Sequence, residues 1–186
     1  DIDPVNNDGI TLIPQAMSLV ADEVIDLPRQ LVPYGYDEIN VNLGCPSGTV
    51  VSKKRGSGIL AYPDMLDSFL DELYTKADFP VSIKTRVGFN DDELWPRLIE
   101  IYSKYPISEL TVHPRVQKDF YKNTPRMDDF SLAVQKINPD KTILCYNGDI
   151  TDTNSFNALT DCFPDIDEIM IGRGLFANPA LIAELK

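Results

Sequence analysis

The sequence is poor in the residues that most often announce a site. It has one histidine, His113, among 186 residues. A multi-histidine metal centre within the chain is therefore excluded, and no metal is expected. Cysteine is scarce too. Cys45, Cys145 and Cys162 are an odd number with no Cys-x-x-Cys spacing. That argues against a disulfide scaffold or a structural zinc and fits a reducing, cytoplasmic setting. No apolar run reaches the roughly 18–20 residues of a membrane span, and no signal-peptide pattern opens the chain. No membrane partner is expected. The Gly-x-Gly-x-x-Gly of a dinucleotide-binding turn does not follow any early strand. Positive charge is in deficit as well, with 17 Lys and Arg against 29 Asp and Glu, a net charge of −12. On charge alone such a chain is a poor polyanion binder.

What is present is a repeated alternation. Short β-branched apolar runs at Thr11–Met17, Glu38–Leu43, Val81–Val87, Glu109–His113, Thr142–Asn147 and Glu168–Gly172 read as strands. Amphipathic stretches at about 20–33, 63–77, 91–104, 128–138, 152–162 and 175–185 read as helices. Leu66, Phe69, Leu70 and Leu73 mark one helical face. Pro63 suits the first turn of that helix. Most strand starts lie about 26–33 residues apart, one βα unit each. The exception follows the second strand, where the extra length is the Gly-, Ser- and Lys-rich segment 44–62. With 43% hydrophobic residues, the chain can bury one sizeable core in a single domain over 1–186.

Alternating βα units fit an open doubly wound sheet or a closed barrel. Polar or reactive residues end all six strands: Gln15, then Asn42 with Cys45, then Lys84 with Arg86. The series continues with His113 and Arg115, Asn147 and Asp149, and Arg173. In a barrel those ends converge on one mouth. The reading is a parallel (β/α)8 TIM-type barrel of which about six units are present.

Each strand end has its own chemistry. Gly44 and Pro46 hold the Cys45 thiol on a sharp exit from its strand. A thiol with an ordinary pKa of about 8.5 can donate a proton as it stands. As a nucleophile it would need a base, and His113 is the only histidine on offer. Lys84 at a barrel rim calls for an anion or an electron-rich ring. Asn147-Gly148-Asp149 and Gly172-Arg173 each precede a helix, where backbone N–H groups, helix termini and an arginine fork suit a phosphate. The last two loops of a β/α barrel are a recurrent phosphate site. Together these residues outline a flavin-mononucleotide oxidoreductase without naming its substrate.

In order, the chain carries Asn-x-Gly-Cys-Pro, a basic Gly-rich loop (Lys54-Arg55-Gly56-Ser57-Gly58), Lys-x-Arg, Thr-Val-His-x-Arg, Asn-Gly-Asp-Ile and Ile-Gly-Arg-Gly with Asn178-Pro179. This set resembles the tRNA-dihydrouridine synthases. The resemblance implies an FMN-bound barrel reduced by NADPH, with hydride passing from flavin N5 to uracil C6 and Cys45 protonating C5. It implies that Gln15, Lys84 and His113 contact the flavin and that Asn147, Gly148, Asp149, Gly172 and Arg173 hold its phosphate. Asn42, Arg86 and Arg115 would help hold the ring or the extruded uracil. Members of that family also begin with a flavin-packing strand and end with a helical domain that grips tRNA. Neither is visible here, so a fragment truncated at both ends is expected, whose open edges leave self-association as an option. Two other readings stand beside it. One is a catalytically silent fragment without FMN; the other is an FMN barrel acting on free pyrimidines, like a dihydropyrimidine or dihydroorotate dehydrogenase.

Overall fold

A computed structural model of the chain describes residues 2–185. Its centre is one sheet of six parallel strands: β1 (Gln15–Ala16), β2 (Ile39–Leu43), β3 (Val81–Gly88), β4 (Glu109–Val116), β5 (Ile143–Asn147) and β6 (Glu168–Met170). Strand order in space follows strand order in sequence from β1 to β6. A doubly wound sheet reverses its order at a switch point. Here nothing reverses, so the winding is that of a barrel, and the six strands form a partial barrel with open edges at β1 and β6.

Helices α1 (Ala21–Leu31), α2 (Gly48–Val51), α3 (Pro63–Lys76), α4 (Trp95–Tyr102), α5 (Met127–Lys136) and α6 (Thr153–Cys162) follow the strands, with α7 (Arg173–Ala177) and α8 (Leu181–Glu184) at the end. None is long and apolar enough to cross a membrane.

Alternation along the strands sorts the side chains onto two unlike faces. Ile39, Val41, Leu43, Val81, Ile83, Val87, Leu110 and Val112 point outward and are fully buried. They meet Leu66, Leu70 and Leu73 of α3 and Trp95, Leu98 and Ile99 of α4 in one core. Each such side chain contributes about 1.5–3 kcal/mol on burial, so this outer face holds the fold together. The inner face is polar almost throughout. Registers join Gln15 to Asn40, Asn40 to Ser82, Asn42 to Lys84, Lys84 to Thr111, and Arg86 to His113. Thr111 then faces Cys145, and Cys145 faces Glu168.

The structure differs from the sequence reading at element ends, each time for a local reason. The first strand shrinks to two residues because pairing begins where Pro14 O accepts from Asn40 N, and Pro14 has no N–H to give. The fourth strand runs three residues past His113. Its partner advances from Arg86 to Gly88 while it advances from His113 to Val116, a bulge that absorbs Pro114. The helix expected at 91–104 starts only at Trp95, with Pro96 in its first turn. The last expected helix is two short ones. Pro179 forces Asn178 into an extended conformation between them.

Candidate active site

The C-terminal strand ends enclose a cavity of about 640 Å³. Gln15, Asn42 and Cys45 line one side, and Lys84, Arg86 and His113 its middle. Asn147, Gly148, Asp149, Gly172 and Arg173 line the other side. Eleven of the twelve residues singled out from the sequence thus meet in one space. The twelfth, Arg115, lies behind the wall, bonded to His113 and Asp149.

Cys45 is placed from two directions. Asn42 Oδ1 accepts from the backbone N–H groups of Gly44 (3.0 Å) and Cys45 (2.9 Å). Asn42 Nδ2 donates to Gln15 Oε1 at 2.7 Å, Gln15 Nε2 to Asn40 Oδ1 at 2.7 Å, and Asn40 Nδ2 to Ser82 Oγ at 3.1 Å. A chain of amides across three strands therefore ends on the cysteine. From the loop side, Ser57 N and Ser57 Oγ both donate to Cys45 O, at 3.0 and 2.8 Å. Gly56 allows this approach. Its φ is +54°, and a Cβ there would lie 2.7 Å from Cys45 O. The Gly-rich segment thus serves to bring backbone against the cysteine turn. Cys45 is half-buried, and its Sγ makes no hydrogen bond among the described residues.

Arg86 ties the neighbouring loops together. It is 2% exposed. Its Nε donates to Gly44 O (3.0 Å), Nη1 to Val116 O (3.1 Å) and Nη2 to Phe120 O (2.8 Å). Gln117 Nε2 adds a bond to Pro46 O at 2.8 Å. The loops after β2 and β4 are laced over the end of β3.

Lys84 sits among cations. Burial pulls its ammonium down to about 8, and the Arg86 charge adds to the effect. It makes no hydrogen bond or ion pair among the described residues and lines the cavity floor. A buried ammonium without an acceptor is costly, and an electron-rich or anionic ligand would relieve it.

The His113 ring is neutral. Burial, then the charges of Arg86, Lys84 and Arg115, push it far below its usual value, to about 2. Arg115 Nη1 lies 3.0 Å from Nε2. Arginine only donates, so Nε2 accepts and the ring proton sits on Nδ1. A ring so depressed and so engaged does not serve as a base for Cys45.

At the far side, Asp149 accepts from both terminal nitrogens of Arg115 and from Arg173 Nη2. The Arg115 hydrogen bonds hold its carboxyl below the usual range, against the upward push of burial. A carboxylate repels a phosphate, so Asp149 acts here on the two arginines it aligns. The N-terminus of α6 is closed by its own cap, with Ser155 N donating to Asp152 Oδ1 at 2.7 Å. The Gly172–Arg173 end and the 147–149 segment line this side of the cavity and could hold an anion.

Among the lining residues not singled out from the sequence are two aromatics. Tyr121 stacks on His113 with centroids 6.1 Å apart and lies between the guanidiniums of Arg86 and Arg173, at 5.5 and 4.8 Å. Phe176 stands 92% exposed at the cavity's lip. Both lie outside the strands. The only signal for Tyr121 was the aromatic, lysine-flanked stretch between β4 and α5.

The family model described as dihydrouridine synthase (Dus) matches residues 12–186. The chain belongs to the dihydrouridine synthase family. It is 33% identical over 154 residues to the probable tRNA-dihydrouridine synthase of Staphylococcus aureus (strain Mu50 / ATCC 700699), a match covering 81% of this chain and 46% of that protein. To tRNA-dihydrouridine synthase B of Escherichia coli (strain K12) it is 30% identical over 165 residues, covering 88% and 50%. A protein of the same name from Pasteurella multocida (strain Pm70) is also 30% identical, over 166 residues. The chain spans about half the length of the curated relatives it matches. Membership in this family gives the cavity a context: the thiol, the lysine and the arginine-rich wall lie on a dihydrouridine synthase framework.

Proposed function

We propose that this chain is the core of a flavin-dependent reductase that converts uridine in tRNA to 5,6-dihydrouridine. The observation that carries the reading is Lys84, a buried ammonium with no acceptor, on the floor of the cavity into which Cys45 opens. The cavity volume lies within the roughly 300–1,000 Å³ of small-molecule and cofactor sites. Its donor set is one-sided, with an ammonium, a guanidinium fork and a neutral imidazole, as an FMN with its phosphate and electron-rich pyrimidine edge requires.

Gln15, Lys84 and His113 would hold the flavin ring, and Gly172, Arg173 and the backbone of Asn147–Asp149 its phosphate. When bound, FMN supplies the hydride, and NADPH would restore it. The residues of this chain do the rest. Asn42 fixes the turn and Cys45 gives its proton to the reduced base. Arg86 shapes the loops around the thiol. Arg115 keeps His113 in one tautomer. A base must leave its stack to reach such a floor, as with other enzymes that work on nucleobases. The tRNA partner, its grip through a C-terminal helical domain and a cytoplasmic location belong to the same reading.

Purified chain should be yellow, and added FMN should raise its Tm. A colourless protein with no thermal response to FMN would leave a silent partial barrel, whose open β1 and β6 edges suit association with another chain. Cys45→Ala should retain FMN and lose nearly all dihydrouridine formation; undiminished product would remove the acid role. Turnover of free uracil or dihydroorotate without action on tRNA would assign the site to free pyrimidines.

A further inference from the structure

The acidic chain distributes its cations unevenly. Away from the mouth most are neutralised in pairs: Arg29 with Asp26, Lys76 with Asp22 and Glu72, Arg97 with Asp64, Lys104 with Asp67, and Lys136 with Glu100, while Lys141 before β5 is exposed and in no ion pair among the described residues. The mouth loops differ. Lys53 and Lys54, after β2, and Lys118 and Lys122, after β4, are exposed, and none of the four is in an ion pair among the described residues.

Local chemistry keeps these charges free. Segment 44–62 contains no Asp or Glu at all. The one acid in segment 117–126, Asp119, is 3% exposed. It is occupied by Arg126, Asn123 and the Val116 backbone. Lys54 adopts a φ of +59°, in the left-handed region that costs most residues about 1–2 kcal/mol. Its ammonium rests over the Tyr62 ring at 4.3 Å. The two loops also belong together. Arg86 bonds to Gly44, Val116 and Phe120, and Gln117 bonds to Pro46. Four unpaired lysines therefore stand on two laced loops that flank Cys45 and Tyr121.

We propose that these loops form a phosphate-gripping lip. Lys53 and Lys54 on one loop, and Lys118 and Lys122 on the other, would take backbone phosphates on either side of a nucleotide extruded into the cavity. The barrel core would then bind an RNA strand by itself. Lysines are point charges that neutralise phosphates without reading sequence. That suits a lip which must hold the strand while the cavity inspects the base. The acidic segment after β3, with Asp91 and Glu93 exposed, adjoins the second loop, where Lys118 N donates to Phe89 O and Arg126 pairs with Asp92. The proposal rests on the uridine-reducing reading and adds where the strand is held.

The test is fluorescence anisotropy of the chain with a labelled, uridine-containing single-stranded RNA, titrated over a range of KCl. Lys53→Gln with Lys54→Gln, and Lys118→Gln with Lys122→Gln, should each weaken binding. Each pair should also flatten the slope of log affinity against log salt by roughly 1.4, or ~0.7 for each phosphate no longer neutralised. Lys76→Gln with Lys104→Gln removes the same charge elsewhere and should change neither. Lip variants that bind RNA like the parent, or absence of RNA binding at low salt, would overturn the proposal. So would equal affinity for polyglutamate of matching charge, which would make the lip a surface for acidic proteins. Flavin absorbance recorded on the same samples separates this from the reading beneath it. Yellow protein with indifferent lip variants sinks only the lip, whereas colourless protein that grips RNA through these lysines sinks the flavin reading and leaves the lip standing.

Discussion

The two ends of the sheet are built on opposite chemistry although they share one inner face. At the mouth stand Lys84, Arg86, Arg115 and Arg173, with four free lysines on the loops above. At the base, Glu38, Glu109 and Glu168 stand at or just before the starts of the alternate strands β2, β4 and β6. Ser108 Oγ donates to Glu38 at 2.9 Å and Thr111 Oγ1 to Glu109 at 2.5 Å. The Glu109 and Glu168 carboxylates and the Cys145 Sγ lie within 4.8 Å of one another. Burial, then the Glu109 charge, raises the Glu168 carboxyl, and burial pushes the Cys145 thiol up to about 12. The net charge of −12 is thus an average over a molecule whose cations cluster where an anion would enter. A cavity feels its own walls far more than the distant surface, because exposed charges beyond about 10 Å are screened.

The largest effect should come from removing the arginine that ties the mouth together. Arg86→Ala leaves three carbonyls without their donor, each worth about 1–3 kcal/mol when buried and unpaired. A loss of roughly 3 kcal/mol corresponds to a fall in Tm of roughly 6–12 °C for a chain of this size. Thermal denaturation that finds Arg86→Ala within a degree or two of the parent would mean the loops hold without it. Arg86→Lys should recover little, since an ammonium cannot reproduce the three-way fork.

Lys84→Met probes the mouth's unpaired charge. The lysine sits near 8 in the folded chain and at 10.5 when unfolded. Between those values the unfolded chain holds the extra proton, so parent stability rises with pH across that window. In Lys84→Met the rise should vanish, and at neutral pH the variant should be at least as stable as the parent while binding FMN more weakly. Urea midpoints at neutral and alkaline pH, with an FMN titration, check both signs.

The smallest effect belongs to the base. Glu168→Gln removes one of two facing carboxylates. A raised folded pKa means that parent stability falls as pH climbs from the ordinary glutamate range through the folded value. The variant should therefore gain slightly in Tm at neutral pH and lose that gain in acid. A gain that persists at low pH would assign it to packing instead of charge.

Much of this contrast was legible in the sequence, for a physical reason. Strand periodicity puts Ile39, Val41, Ile83 and Val112 on one face and Asn40, Lys84 and His113 on the other. Once the strands are parallel and consecutive, their C-terminal ends must share a mouth. Loop geometry was not legible. Nothing in the spacing says that Tyr121 returns over His113, or that Arg86 turns its donors to three backbone carbonyls. The net charge misled in the same way, because composition cannot say which lysines find a carboxylate. The tautomer of His113 was hidden too, since it depends on Arg115 reaching Nε2.

The amide chain from Ser82 to Cys45 has a direction. Asn40, Gln15 and Asn42 each donate with the nitrogen and accept with the oxygen, and the last oxygen holds two N–H groups of the cysteine turn. An acid at Gln15 or Asn42 would lose its donor and face an amide oxygen, whereas at Asn40 the Ser82 hydroxyl can turn to donate, so single substitutions at the first two break the line while coordinated ones keep it. Natural variation should therefore treat these positions as one inherited unit, and grafting the cysteine turn onto another barrel would require moving all of them. The two-residue strand β1 is the telling part: its contribution to the sheet is slight, and what it delivers is Gln15.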